Sequence, residues 1–516
     1  MASRDPDRIP VVIAAGQSIE RDALVTPMHL IVRAAEAALS HVPALRQAIE
    51  RVSVVRPLGH VGPAPASQLA THLGLASPEC EVSTIGGNTP QWLVNRAASA
   101  IAAGKLSATL IVGAEALRSS RARRAAGEPR RSAEPDMPAD SVVGDDRSGL
   151  GPAEGAIGLI LPVHIYPMLE SAIAAAAGHD GPRHRQAMGA LLAPFTEVAA
   201  ANPFAWFPER YSAEAIATPS PDNRVVAEPY TKRMAAFLGS DQGAALIVCS
   251  LAAAEKARVS DRAVFVWAGA EANDVYFPAS RPEPGRSPAI AAAGRALLAA
   301  AGAAAGPDGS VDIDDLGLID LYSCFPSAVE AAADALALAA DDRRGLTVTG
   351  GLPYFGGPGN NYTTHAVATL TDRLRDESTG DSNEPRFGLA TGLGWFITKH
   401  ALGLYATEPP PGGFQRGDTA AAQEVIDATA TPMALEVEEP TAAVVVAATV
   451  VRGSGGTDGI GPATAAPAIV RLPDGRQMAV SPVDEHVLDE VGGRDVPGLV
   501  GTDLLVQPGP PRYRLA

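Results

Sequence analysis

Apolar, β-branched runs alternate with helix-length stretches from Ile9 to Gly113, and this rhythm limits the possible folds more than any other feature of the chain. Residues 9–16, Ile-Pro-Val-Val-Ile-Ala-Ala-Gly, are apolar on both faces and closed by glycine, which predicts a buried parallel strand. Helical spacing follows over residues 28–38, then a strand at 51–56, a short helix at 67–73 and a third strand at 81–84. A long amphipathic helix at 89–103 and a fourth strand at 107–113 complete a β-α-β-α-β-α-β run, the pattern of a sheet with helices on its faces.

From Arg118 to about Lys232 the rhythm breaks into a stretch rich in proline, arginine and polar residues, which reads as an insertion. It resumes with a strand at 241–249 and a helix through Lys256. A second cycle then brings strands at 263–267, 318–321, 346–349, 386–390 and 402–406, with helices at 288–301, 326–339 and 362–375. Two halves of one topology are expected, although their residues barely match. Residues 407–419 read as a linker, stiff at Pro409-Pro-Pro411 and loose at Gly412-Gly413. Beyond it, strand-like runs at 441–451, 468–472, 477–480 and 503–507, separated by turn residues, predict a small antiparallel barrel or sandwich. The expected division is 1–117 with 233–258, the insertion 118–232, the second half 259–406, the linker, and a β-rich domain over 420–516.

A length of 516 residues fits several domains, and 46% hydrophobic residues supply a large interior. Only 5% are aromatic, so packing leans on Ala, Val, Leu and Gly. The balance of 41 basic against 58 acidic side chains, −17 overall, repels phosphate backbones and argues against nucleic acid as a partner. The last segment, with 13 acidic and 6 basic residues over 420–516, argues the same way. Cys80, Cys249 and Cys324 are far apart and form no CxxC pair, so no zinc site of that spacing and no disulfide framework is expected, and a reducing cytoplasm is the simplest compartment. The N-terminus is polar, and the alanine-rich run at 291–305 is short and broken by Arg295, so no membrane span is expected.

Three segments stand in order on this doubled pattern and carry a family resemblance. The helix ending Ile101-Ala-Ala-Gly104, followed by Thr109-Leu-Ile-Val-Gly-Ala-Glu115, resembles the segment behind the thiolase nucleophile. Leu321-Tyr-Ser-Cys-Phe325 is similar to the His-Asp-Cys-Phe motif of sterol-carrier-protein-type thiolases, and Gly350-Gly-Leu-Pro-Tyr-Phe-Gly-Gly-Pro358 resembles the stretch that carries Gly-His-Pro. The resemblance spans about residues 8–406, with the insertion in place of the thiolase loop domain; the tail lies outside it. It implies an α/β fold of two similar βαβαβαββ halves in five layers, and a coenzyme A ester as ligand rather than a tightly bound cofactor or metal.

In active members a cysteine at a helix N-terminus takes the acyl group, a second cysteine moves the proton, and a histidine polarises the thioester oxygen. A helix N-terminus lowers a thiol's pKa, and the oxyanion needs donors aimed at it. Carried onto this chain, the nucleophile's position is Gly87, within Ser83-Thr-Ile-Gly-Gly-Asn-Thr-Pro-Gln91. Glycine has no side chain to attack with; Gly86-Gly87 then either makes a tight strand-to-helix entry or shares in binding the ligand. Cys324 and Phe325 keep their family identity, while Tyr322 and Ser323 replace histidine and aspartate. Cys324 is the retained candidate for proton transfer, or a small buried hydrophobe, and Tyr322 is a candidate donor to a thioester carbonyl. Gly357 stands at the place of the Gly-His-Pro histidine. Asn360, Asn361 and His365 follow it, either facing the vacated space or lying on a helix flank. The turn Thr391-Gly-Leu-Gly394 lacks the cysteine found there in other thiolases. Arg118, Arg121, Arg123, Arg124, Arg130 and Arg131 open the insertion and are candidate contacts for the phosphates of coenzyme A, or a solvated loop.

Three functions follow as expectations. The first is a protein that binds coenzyme A or acyl-CoA thioesters with little or no thiolase activity. The second is an active acetyl-CoA acetyltransferase or acyltransferase of lipid metabolism, bypassing the covalent step with Cys324 as base. The third is a non-catalytic subunit of an acyl-CoA-handling complex, a homo-oligomer or a partner of another protein through its C-terminal domain.

Overall fold

The computed structural model describes residues 5–128, 137–306, 309–377 and 386–516, so Arg130 and Arg131 lie outside the described residues. In the first half, β1 (Pro10–Ile19), β2 (Arg51–Val55), β3 (Glu79–Ser83) and β4 (Ala108–Ala116) alternate with α1 (Pro27–His41), α2 (Pro65–Leu73) and α3 (Thr89–Ala102). After β4 come α4 (Leu117–Ala125), the short β5 (Ser141–Val143), α5 (Pro162–Ala176) and α6 (Gly181–Ala201), before β6 (Asp241–Ser250) returns to the sheet. The second half holds β7 (Val264–Asn273), α7 (Pro288–Ala305), β8 (Leu316–Asp320), α8 (Pro326–Ala335), α9 (Tyr362–Glu377), β9 (Phe387–Gly394) and β10 (Lys399–Ala406).

The halves repeat one another in space. The first runs β3-β2-β4-β6-β1 and the second β8-β9-β10-β7, with parallel pairing at the β2–β4 and β8–β9 steps and antiparallel pairing beyond. They join at a short seam where Val11 opposes Phe265 and Val12 opposes Val264. α3 and α9 form the central layer: Leu93, Val94, Ala97, Val367 and Leu370 share one apolar cluster with Val12, Leu246, Val266 and Tyr405 from the two halves of the sheet. The opposite faces of the strands, Val11 and Ile13 among them, belong to the outer core with α1 and α7.

Two expectations about strands are corrected. β1 is buried on both faces, but its long partner β6 is antiparallel, from Pro10–Ser250 to Ile19–Gln242. Its continuous apolar run comes from having a helix layer on each side, not from a parallel ladder. Residues 346–349 form no strand; Leu346 gives one carbonyl to the Leu321 N–H, and beyond it the Asp320 carboxylate takes over. That buried carboxylate accepts from the Val348 N–H at 2.9 Å, the Thr347 hydroxyl at 3.0 Å and the Tyr362 hydroxyl at 3.2 Å. A side chain has replaced the strand ladder.

The C-terminal segment closes into a barrel of β11 (Thr441–Ala448), β12 (Ala468–Arg471), β13 (Gln477–Pro482), β14 (Asp503–Gln507) and β15 (Arg512–Leu515), in the order β11-β12-β13-β15-β14. Asp474-Gly475 makes the β12–β13 hairpin turn, with Gly475 at φ +87°. The pattern missed β15, its parallel pairing with β13, and a helix α10 (Glu485–Gly492). α7 is the described helix long and apolar enough to cross a membrane; it packs as a core helix, with Ile290, Ala293, Leu297 and Ala301 buried.

Candidate functional site

The N-terminus of α3 meets the N-terminus of α9 in the middle of the molecule, and two second-half loops close on that junction. The Gly86 N–H donates to the Asn360 side-chain oxygen at 3.1 Å, and the Thr363 hydroxyl donates to the Gly87 carbonyl at 3.1 Å. From β8 comes the 321–325 loop; from β9 comes the turn after Leu393. A Cβ built on Gly87 would collide with the Tyr322 hydroxyl, and would lie 2.7 Å from its Cζ and 2.5 Å from the Leu393 carbonyl oxygen. The space that a side chain at position 87 would need is filled by a phenol. Gly392 and Gly394 pack as closely on Asn88, whose backbone and side chain occupy the room of both missing Cβ atoms.

Tyr322 is buried, and its hydroxyl has no protein hydrogen-bond partner among the described residues. Burial raises its pKa, so it is a neutral phenol set at the positive end of α3. Cys324 lies on the same loop, buried beside Tyr166, and burial pushes its thiol up to about 12. Tyr166 comes from α5, stacks on Phe325 with ring centroids 4.5 Å apart, and donates to the Trp395 carbonyl at 2.7 Å. Trp395 and Ile397 are held at φ +59° and +53°, a left-handed geometry costly for such side chains. The strain therefore sits in the turn that presents Leu393 to Gly87.

Gly357 is joined to this loop through the segment just before β6: Ala236 donates to the Cys324 carbonyl at 2.9 Å, and Gly357 donates to the Phe237 carbonyl at 2.8 Å. A side chain at 357 would press on Phe237 and Leu238. Asn360 and Asn361 do not face a vacated space, because their amides donate to the Arg56 and Gly113 carbonyls at 2.8 and 2.7 Å. His365 is turned away, toward β1. Its Nδ1 meets the Gln17 side-chain oxygen at 2.7 Å, and burial lowers its pKa to about 3, so it is neutral with the proton on Nδ1. Gly87, Tyr322 and Cys324 are thus brought together, with Gly357 nearby and His365 apart.

The described arginines divide. Arg118 pairs with the buried Asp241 at 3.1 Å and Arg123 donates to the Val25 and Leu24 carbonyls, so both tie α4 to the body. Arg121 and Arg124 are exposed on the same helix. Sequence reasoning missed Tyr166 and Thr363, which no motif marks because each reaches the site through tertiary packing; it singled out the 391–394 turn for its missing cysteine, not for the Leu393 carbonyl that faces Gly87.

No protein-family model matches the chain, and no curated protein matches it. Among solved structures, a monomeric SCP2-thiolase-like protein type 1 from Mycobacterium smegmatis is 28% identical, with 99% of each chain covered and a TM-score of 0.80. The chain belongs to the thiolase superfamily. Two further thiolase-fold likenesses share the architecture at lower identity. The Ltp2–ChsH2(DUF35) aldolase has a TM-score of 0.58 at 18% identity, covering 77% of this chain and 98% of that one. An acetyl-CoA acetyltransferase from Syntrophomonas wolfei has a TM-score of 0.56 at 15% identity, covering 78% and 99%. Within the thiolase fold, the junction of α3 and α9 described above is the site at which this chain carries Gly87.

Proposed function

We propose that this thiolase-superfamily protein binds coenzyme A or acyl-CoA thioesters without cleaving them by thiolysis. The observation that carries the reading is the Tyr322 phenol in the space of the side chain at Gly87, which leaves neither a nucleophile nor room for one. A neutral phenol at a helix N-terminus retains one useful property: it donates a hydrogen bond to a carbonyl oxygen. Support also comes from the surface above the site. Leu58, Ile85 and Leu238 are 49%, 45% and 37% exposed, and they adjoin Gly359, Gly86 and Gly357, an apolar rim suited to a pantetheine or acyl chain. Arg121 and Arg124 are the exposed cations available to its phosphates.

Acyl transfer with Cys324 as base has against it a thiol held near 12 by burial, which leaves almost no thiolate at neutral pH. Calorimetry with coenzyme A and acetyl-CoA, together with an acetoacetyl-CoA cleavage assay, tests the proposal. Binding of the thioester, weakened in Tyr322→Phe more than binding of free coenzyme A, is the expected result. Cleavage at ordinary thiolase rates, or no binding of either compound, overturns it.

A further inference from the structure

Outside this site, three helices bury a second polar cluster. Glu170 on α5, His184 on α6 and Glu330 on α8 place one ligand-type atom each within 4.8 Å of one another. Glu170 is wholly buried. Its Oε1 meets His184 Nε2 at 2.7 Å, and its Oε2 accepts from the Tyr230 hydroxyl at 2.5 Å. Tyr230 is fixed in turn by the Ser327 hydroxyl at 2.8 Å, and His184 Nδ1 lies 3.3 Å from His179 Nδ1. Glu330 Oε2 is 3.8 Å from His184 Nε2, buried, and without a hydrogen-bond partner.

The charges do not balance. Among the described residues no lysine or arginine pairs with Glu170 or Glu330, and Glu330 Oε2 has no hydrogen-bond partner. Buried carboxylates persist when paired or metal-bound. With both carboxyls ionised, the cluster carries the charge that a divalent cation cancels. Its groups are also the oxygen and nitrogen donors that zinc takes at about 2.0–2.2 Å. His179, half-buried and adjoining His184, offers the path inward.

We propose that Glu170, His184 and Glu330 form a binding site for one divalent transition-metal ion of the zinc class, a structural site that clamps α5 and α6 of the insertion to α8 of the second half. The site is independent of thioester binding, yet it adjoins that machinery. Tyr166 stands one helical turn before Glu170 on α5, and α8 begins directly after Phe325.

The test uses the full-length protein, stripped with a chelator and titrated with Zn²⁺ by calorimetry and with Co²⁺ by visible absorption. One equivalent of Zn²⁺ is expected to bind and raise Tm. Glu330→Gln, which keeps the side-chain shape, is expected to weaken binding on the order of 100-fold, and His184→Asn to do the same. Absence of stoichiometric binding overturns the proposal, as does binding of equal strength in Glu330→Gln. If that variant fails to fold, the wild-type Co²⁺ spectrum decides. Bands of an oxygen and nitrogen ligand set support the site, and a thiolate charge-transfer band, which would move the ion to a cysteine, overturns it.

Discussion

Replacing Gly87 by alanine sets a methyl group against the Tyr322 phenol and the Leu393 carbonyl, neither of which has slack in a packed interior. The variant is expected to lose about 1–3 kcal/mol of stability, read from urea midpoints. Combined with Tyr322→Ala, the loss should be clearly less than the sum of the two single changes, because the pair shares one space. Strict additivity would show that the two residues do not compete for it. Asp320 gives a second prediction. Burial raises its pKa to about 6 from 3.8, so the fold favours the protonated form. Its contribution, about 3 kcal/mol at most, is fully present below the unfolded pKa and is lost as pH rises through 6. Urea midpoints measured from pH 4 to 7 should fall for the native chain, with a flatter profile in Asp320→Asn. Of these residues, Gly87 and Cys324 were legible from motif order. The contact between Gly87 and Tyr322 was not, because spacing along a chain does not say which loops a fold brings face to face.

Among the elements, β5 has the clearest consequence. It pairs with the outer strand of the first half, Val82 beside Val142, and its Val143 carbonyl accepts from Thr84 at 2.9 Å. An uncovered strand at that position would present a row of free N–H and C=O groups to another chain. With β5 in place, the protein is expected to be a monomer at micromolar concentration. Light scattering that reports a dimer would count against this account of the edge. The elements were also where the sequence was most readable: helices and strands of both halves appear in the predicted order, since long apolar periodicity survives tertiary context. Local substitutions for periodicity were invisible. The Asp320 carboxylate that replaces a strand at 346–349 is one, and the parallel β13–β15 pairing, joined across α10, is another.

At the scale of the molecule, the barrel is built into the body rather than hung from it. Glu228 of the insertion takes Arg185 of α6 at 3.2 Å and Arg452, just past β11, at 3.1 Å. The Thr449 hydroxyl donates to the Glu228 carbonyl at 2.8 Å, and the Ala448 N–H donates to the Ser171 hydroxyl of α5 at 3.0 Å. A short sheet pairs Val451 with Ala227 across the same boundary. Glu228→Ala, which strands two guanidinium groups, is expected to cost about 2 kcal/mol, between the surface and buried limits for ion pairs. Calorimetry should then show the native single transition broadening or splitting; an unchanged endotherm would mean that the two parts are not coupled through this carboxylate. The sequence separated the tail by its proline-rich linker and turn spacing, and so made it look detachable. A gene ended after Ala406 would encode a protein with one edge of the strand Val225–Ala227 left bare and Glu228 deprived of Arg452. Shortening the chain to its family resemblance would therefore yield a sticky, half-finished molecule rather than a minimal one.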